Sequence, residues 1–540
     1  MGDKMGRFRQ KVKKNLKRTA SDNAQLRPYV RGFINGYERC QYWWETRKLT
    51  TDPRMVVFCS FQGQSYSDNP KALFEYMMRS GRFEGYTFVW AFKKDLPSRR
   101  KQMKRLKNRI ANERLAAELG IADLSLLWDT GEAPETLEEL EEFPENADAR
   151  IEELFEEADD PVTEGGAAVS DHGESASLTE DSRPLSELDR RKERRAQIRK
   201  TLPRIVIVKY LGRTWRKYVG TAKYWFFNFK IDDSLSPRAD QVFLQTWHGT
   251  PLKRLGYDLE HFDNLMNTEA EMKKRYGVEV RKFTYFLSPS AFATEKFKSA
   301  WRMEDFGKGD IIVEEGYPRN DILFNYTEEN LDRIKNRIFG YFYLPYEKQI
   351  KRKMIVLYAP TYRANQHKTG VGYTYKTEVD FDRLQRELRD DFIILFRAHY
   401  FVASKFDFRR YGGFIYDVSK VNDINDLYLI ADVLVTDYSS SMFDYANLRR
   451  PMIFHMYDLE HYRDESNGFY FDPGEELPGP IVRTDDELIA ALRAVPEFTY
   501  DEKYRRFNEK FDPLDDGHVC ERVVNRVFGS EDERRGTEAE

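Results

Sequence analysis

Short apolar runs of three to six residues recur along this chain, most ending in a polar loop that leads toward a stretch of helical periodicity. Val56-Val57-Phe58-Cys59 comes first. A loop from Ser60 to Pro70 follows, then a helix with Ala72, Leu73, Tyr76 and Met77 on its apolar face, then Thr87-Phe88-Val89-Trp90-Ala91-Phe92. Runs this apolar must be buried on both faces. Strand, helix, strand in that order is the unit of a parallel sheet covered by helices. The rhythm stops near residue 95 and resumes at Ile205-Val206-Ile207-Val208, Val242-Phe243-Leu244, Tyr285-Phe286-Leu287 and Ile311-Ile312-Val313. A second series follows at 354–359, 392–396, 414–418, 433–436 and 452–454, the last strand expected, with a C-terminal helix near 485–510. The reading is α/β: residues 51–95 with 204–325 as one doubly wound domain and 326–515 as another. Residues 1–50, 96–203 and 516–540 are left as basic segment, insertion and tail.

Open parallel sheets bind ligands beyond the carboxyl ends of their strands. In the first series one strand exits into Gln245-Thr246-Trp247-His248-Gly249-Thr250-Pro251-Leu252-Lys253. Thr250-Pro251 predicts a helix start, whose free N–H groups favour an anion, and Lys253 adds positive charge. A histidine there suits a general base beside a phosphate, or else simply packs on Trp247. In the second series one exit carries Thr361 and Arg363, another Arg397 and His399, and a third Asp437 with Ser439, Ser440 and Ser441 opening a helix. No strand-end pair of aspartates suggests a metal, and no cofactor is expected.

Charge matters through its distribution. A net charge of -4 argues against nucleic-acid binding by bulk charge. Residues 4–18 interleave lysine and arginine with Met5, Phe8, Val12 and Leu16, a basic amphipathic helix suited to an anionic membrane surface. Residues 132–181 carry 19 acids against the single base Arg150, the composition of a disordered insertion. Residues 209–230, rich in bases and aromatics, fit core packing, a membrane interface or stacking on nucleic acid. Three scattered cysteines form no metal or disulfide pattern, and no stretch reaches the ~20 apolar residues that span a bilayer. A soluble or peripheral protein in the cytoplasm is expected.

The segments 246–253 (TWHGTPLK), 359–363 (APTYR), 396–399 (FRAH), 423–446 (DINDLYLIADVLVTDYSSSMFDYA) and 450–462 (RPMIFHMYDLEHY) together resemble the CDP-glycerol glycerophosphotransferase family of teichoic-acid polymerases and primases. Segments 65–77 and 221–228 share the likeness. The resemblance implies a GT-B fold, two Rossmann-like domains facing a cleft. It implies transfer of glycerol or ribitol phosphate from CDP-glycerol or CDP-ribitol to a polyol-phosphate or lipid-linked polymer, with release of CMP. By motif, His248 and His399 would be the catalytic histidines. Gly249, Thr250, Lys253, Thr361, Arg363, Arg397, Asp437, Ser439, Ser440, Ser441 and Asp444 would line the substrate site, completed by Gly468-Phe469-Tyr470. Where the family carries arginine before that last segment, this chain has Asn467. The competing readings are a nucleotide-sugar GT-B transferase and a scaffold using the acidic insertion. A homo-oligomer is left open.

Overall fold

The computed structural model describes residues 27–121, 186–259, 269–341, 350, 352–361, 367–368, 372–373, 379–397, 408–460, 462 and 468–529. The basic stretch 4–18, the acidic stretch 132–181, Arg363, His399 and Asn467 lie outside them.

The first series forms one parallel sheet of β1 (Asp52–Cys59), β2 (Thr87–Phe92), β3 (Arg204–Lys209), β4 (Ala222–Phe227), β5 (Val242–Gln245), β6 (Tyr285–Ser288) and β7 (Ile312–Glu314). Its order is 3-2-1-4-5-6-7, so the direction of winding reverses between β1 and β4, where Val57 pairs with Val89 on one side and Trp225 on the other. Val57, Phe58, Trp90, Trp225 and Phe226 are fully buried, as strands covered on both faces require. The second series is also parallel: β8 (Met354–Ala359), β11 (Phe392–Phe396), β12 (Ile415–Asp417), β13 (Val433–Thr436), β14 (Met452–His455) and β15 (Ile481–Val482), in the order 12-11-8-13-14-15. Its reversal falls between β8 and β13. Between β8 and β11, β9 (His367–Lys368) and β10 (Gly372–Tyr373) pair antiparallel.

Several expectations change. Of the readings left open for residues 209–230, core packing holds for the rings: Trp215, Trp225, Phe226 and Phe227, in helix Arg213–Thr221 and β4, are fully buried, while Lys209, Arg213 and Lys217 are exposed. β14 is not the last strand, because β15 adds two residues, too few to leave a periodic signal. The single C-terminal helix is two, Asp485–Arg493 and Glu502–Phe511, divided at Pro496. Beyond them helix Val519–Phe528 carries the chain back to the first sheet. There Phe528 meets Phe83 and Tyr224, and Arg82 donates to Asn525 Oδ1 at 2.5 Å.

The described residues 101–121 and 186–202 form a compact unit of their own. The described flanks of the insertion are helical, Leu96–Leu119 and Glu187–Thr201. Arg194 pairs with Glu118 at 2.8 Å, and Lys107 donates to the Leu202 carbonyl at 3.1 Å.

Candidate active site

The exits of β1 and β5 are built from strained backbone. Phe61, Gln62, Asp68 and Trp247 hold φ of 46°, 58°, 67° and 50°. A non-glycine residue there costs about 1–3 kcal/mol and persists only where its surroundings over-determine it. Here they do. Phe61 N–H donates to Asn228 Oδ1 at 2.9 Å, Trp247 N–H to Gln245 Oε1 at 3.0 Å, and Asn69 Nδ2 to the Thr246 carbonyl at 3.3 Å.

This frame aims His248. Its Nδ1 lies 2.9 Å from the Asn228 carbonyl, which can only accept. The proton therefore sits on Nδ1, and Nε2 of the neutral ring is a free acceptor. Trp247 flanks the ring at 4.3 Å. Solvent reaches the ring while protein walls the rest of it. Desolvation by those walls lowers its pKa below the ordinary histidine value and Arg319 adds to this, against the Asn228 carbonyl and Asp68, which raise it.

The helix expected at Thr250-Pro251 does not form. Residues 251–255 form no helix and run beside the segment 468–470, which takes up hydrogen bonds a helix would have used. Tyr470 N–H donates to the Leu252 carbonyl at 2.9 Å, Arg254 N–H to the Gly468 carbonyl at 3.2 Å, and Lys253 bridges Phe469. Lys253 Nζ stands 5.1 Å from the Tyr462 ring, which stacks on Tyr438 at 3.8 Å. Thr250 is buried.

In the second sheet Asp437 fastens the exits of β8 and β13. Its Oδ1 accepts the Thr361 N–H at 2.8 Å, the Tyr438 N–H at 2.7 Å and the Thr361 hydroxyl. Ser439 Oγ accepts from Ser441, from N–H at 3.3 Å and Oγ at 2.9 Å. Ser440 precedes helix Ser441–Ala446 with no capping bond from its side chain. It lies directly against Gly249, where a Cβ would stand 2.6 Å from Ser440 Oγ. Arg397 donates to the Val421 carbonyl at 2.7 Å.

Beneath this contact lies a group the sequence reading missed. Arg319 is buried between Asp444, at 2.8 Å, and Asp68, at 3.3 Å. Asn320 Nδ2 donates to Asp444 Oδ1 at 3.0 Å and to Asp515 Oδ2 at 2.6 Å. Asp444, expected to face substrate, is committed to this triad, and burial raises its carboxyl despite Arg319. The sequence marks it only by the turn-forming run Gly316-Tyr317-Pro318-Arg319-Asn320-Asp321, which lies between the two strand series. Among the described residues no group of three or more histidine, cysteine or acidic side chains is placed to hold a metal.

Two doubly wound sheets whose strand exits meet in this way define a GT-B type α/β protein. The chain belongs to the CDP-Glycerol:Poly(glycerophosphate) glycerophosphotransferase family, whose model matches residues 42–124 and 189–529. It is 38% identical over 330 residues to the teichoic acid poly(glycerol phosphate) polymerase of Bacillus subtilis, covering 61% of this chain and 42% of that protein's length. It is 38% identical over 318 residues to the teichoic acid glycerol-phosphate transferase of Staphylococcus aureus, covering 58% and 78% respectively. Among solved structures it resembles the wall teichoic acid polymerase TagF, one form of which was soaked with CDPG. That likeness has 26% identity and a TM-score of 0.65 over 96% of this chain and 97% of that one.

Proposed function

We propose that this protein transfers glycerol phosphate, or ribitol phosphate, from a CDP-polyol to a hydroxyl of a teichoic-acid-like or capsular polymer, releasing CMP. The observation that carries the reading is the meeting of His248, with Nε2 free, and the Ser439–Ser441 turn across the Gly249–Ser440 contact. Nε2 takes the proton of the acceptor hydroxyl. The hydroxyl oxygen attacks the phosphorus bearing the polyol, and the bond from that phosphorus to the bridging oxygen breaks, its electron pair leaving with CMP. The Asn228 carbonyl stabilises the imidazolium through Nδ1–H. General-base assistance of this kind accounts for about 10²–10⁴ in rate.

Charge growing on the pyrophosphate needs preorganised donors. The Ser439, Ser440 and Ser441 hydroxyls, Thr361, Arg397 and Lys253 are assigned that work, and Gly249 and Thr250 shape the passage. By family motif, Arg363 and His399 join the donor side. Asp437 and Asp444 are assigned positioning parts, since their carboxylates are engaged with Thr361 and Arg319.

The same reading places the protein peripherally on the cytoplasmic face of the membrane. Helix Arg27–Thr46 supports it: Tyr29, Phe33, Tyr37 and Trp44 fall on one face at helical spacing, and Phe33 and Trp44 are 70% and 64% exposed. Arg47 lies 3.4 Å over the Trp44 ring. An aromatic stripe edged by cations suits the headgroup region of an anionic bilayer. Among the described residues no helix is long and apolar enough to cross a membrane.

The test is CMP release from CDP-glycerol and from CDP-ribitol, each with a lipid-linked glycerophosphate primer, in wild type and His248→Ala. Release from one donor, lost in the variant, is expected. A folded protein that releases CMP from neither overturns the proposal.

A further inference from the structure

The Asp68–Arg319–Asp444 triad is lopsided. Arg319 grips Asp444 through Nη2, at 2.8 Å and 3.0 Å, and through Nε at 3.2 Å. Asp68 receives one nitrogen, Nη1, at 3.3 Å from each carboxylate oxygen. Asp444 alone neutralises the guanidinium, so a second carboxylate is surplus to that task. With both acids ionised the group carries one negative charge in excess, and the looser partner, Asp68, holds it. The three side chains are at most 9% exposed, so water and salt screen that charge weakly.

The turn that carries Asp68 is tied to the base. Asn69, fully buried, accepts the Arg319 N–H on Oδ1 at 3.1 Å and donates from Nδ2 to the Thr246 carbonyl at 3.3 Å, two residues before His248. Among the described residues two charged groups act on the His248 ring. Asp68, from the exit of β1, favours its protonated form, and Arg319, from the crossover Pro318–Leu323, opposes it. The exit of β4 adds the Asn228 carbonyl, Phe61 and Trp247 flank the ring, and the turn across Gly249 is of uncharged serines. We propose that Asp68 is a positioning residue for the transfer: its carboxylate supplies the field that stabilises the imidazolium formed when His248 takes the acceptor's proton, while Asn69 fixes the backbone leading to that ring. A base gains strength when a nearby charge favours its conjugate acid over the neutral ring. The inference rests on the reading of His248 as the base.

The experiment reads the ring directly, by NMR titration of ring-labelled histidine in the full chain, with His248→Gln identifying the signal, alongside CMP release at pH 8. Asp68→Asn keeps the size, an acceptor for Arg319 and a residue type that tolerates the positive φ of 67°. It should move the His248 titration to lower pH. It should also slow CMP release at pH 8, where the ring is neutral in either chain, roughly tenfold, a fraction of what a general base contributes. Asp444→Asn should move the titration the same way, because Arg319 then turns wholly to Asp68, and this variant decides the matter should Asp68→Asn misfold. A titration unmoved or raised in the folded variant overturns the proposal even if the rate falls, for Asp68 is then only structural. A titration that moves, in a protein whose wild type releases no CMP from any CDP-polyol, upholds the action of Asp68 on the ring and sinks the transferase reading. CMP release with an unmoved titration does the opposite.

Discussion

Gly249 stands against Ser440, so near that a Cβ at residue 249 would lie 2.6 Å from Ser440 Oγ and 3.0 Å from its Cβ. The first residue follows the histidine at the exit of β5. The second lies in the serine turn at the exit of β13. Their contact is where a strand exit of one sheet meets a strand exit of the other, and only a residue without a side chain lets them approach this closely.

Gly249→Ala is therefore expected to slow CMP release about 10- to 100-fold while costing about 1–3 kcal/mol of stability. Ser440 Oγ can rotate away but its Cβ cannot, so the two turns must part. Adding Ser440→Gly should restore part of the rate. Steady-state kinetics and thermal unfolding of the single and double variants check this.

The pH dependence of kcat/KM should report His248. A base whose pKa is lowered stays unprotonated further into acid. Activity should be full above that value and be lost as the pH falls through it, with the acidic limb below about 6.5, the ordinary histidine value. His248→Gln should remove the limb and lower the rate roughly 10²–10⁴-fold.

Arg319→Met leaves Asp68 and Asp444 buried without their shared cation. Breaking such a group from one side costs about 3–5 kcal/mol. A lower denaturation midpoint, with smaller losses when Asp444 is neutralised in the same chain, is expected from chemical unfolding curves.

Burial raises Asp515 from 3.8 to about 7 and pushes Asp512 up as well. A carboxyl with a raised folded pKa stabilises fully below the unfolded value, and that contribution is lost as the pH rises through the folded one. Stability from these groups should fall from about pH 4 toward 7. Asp512→Asn should flatten the trend, so that its advantage over wild type in unfolding temperature is larger at pH 8 than at pH 5.

Phe33→Glu and Trp44→Glu should each weaken sedimentation with anionic liposomes about tenfold while leaving thermal stability unchanged, since both rings face solvent. Binding should weaken with added salt.

What the sequence determined by itself was local. Runs such as 88–92 and 354–359 are apolar throughout, which commits them to strands buried on both faces, and the alternation with helices commits those strands to parallel sheets. The position of His248 and of the serine turn at strand exits follows from the same local order. Tertiary structure decided the rest, because it depends on partners far along the chain. Arg319 finds Asp68 251 residues away and Asp444 125 residues away, and no periodicity announces such pairs. Residues 251–255 look like a helix start until the segment 468–470 supplies partners for their backbone. β15 and helix Val519–Phe528 are set by the sheets they join. The approach of Gly249 to Ser440 exists only once both sheets are built and brought together, since a short-range pattern specifies an element and not the surface it will meet.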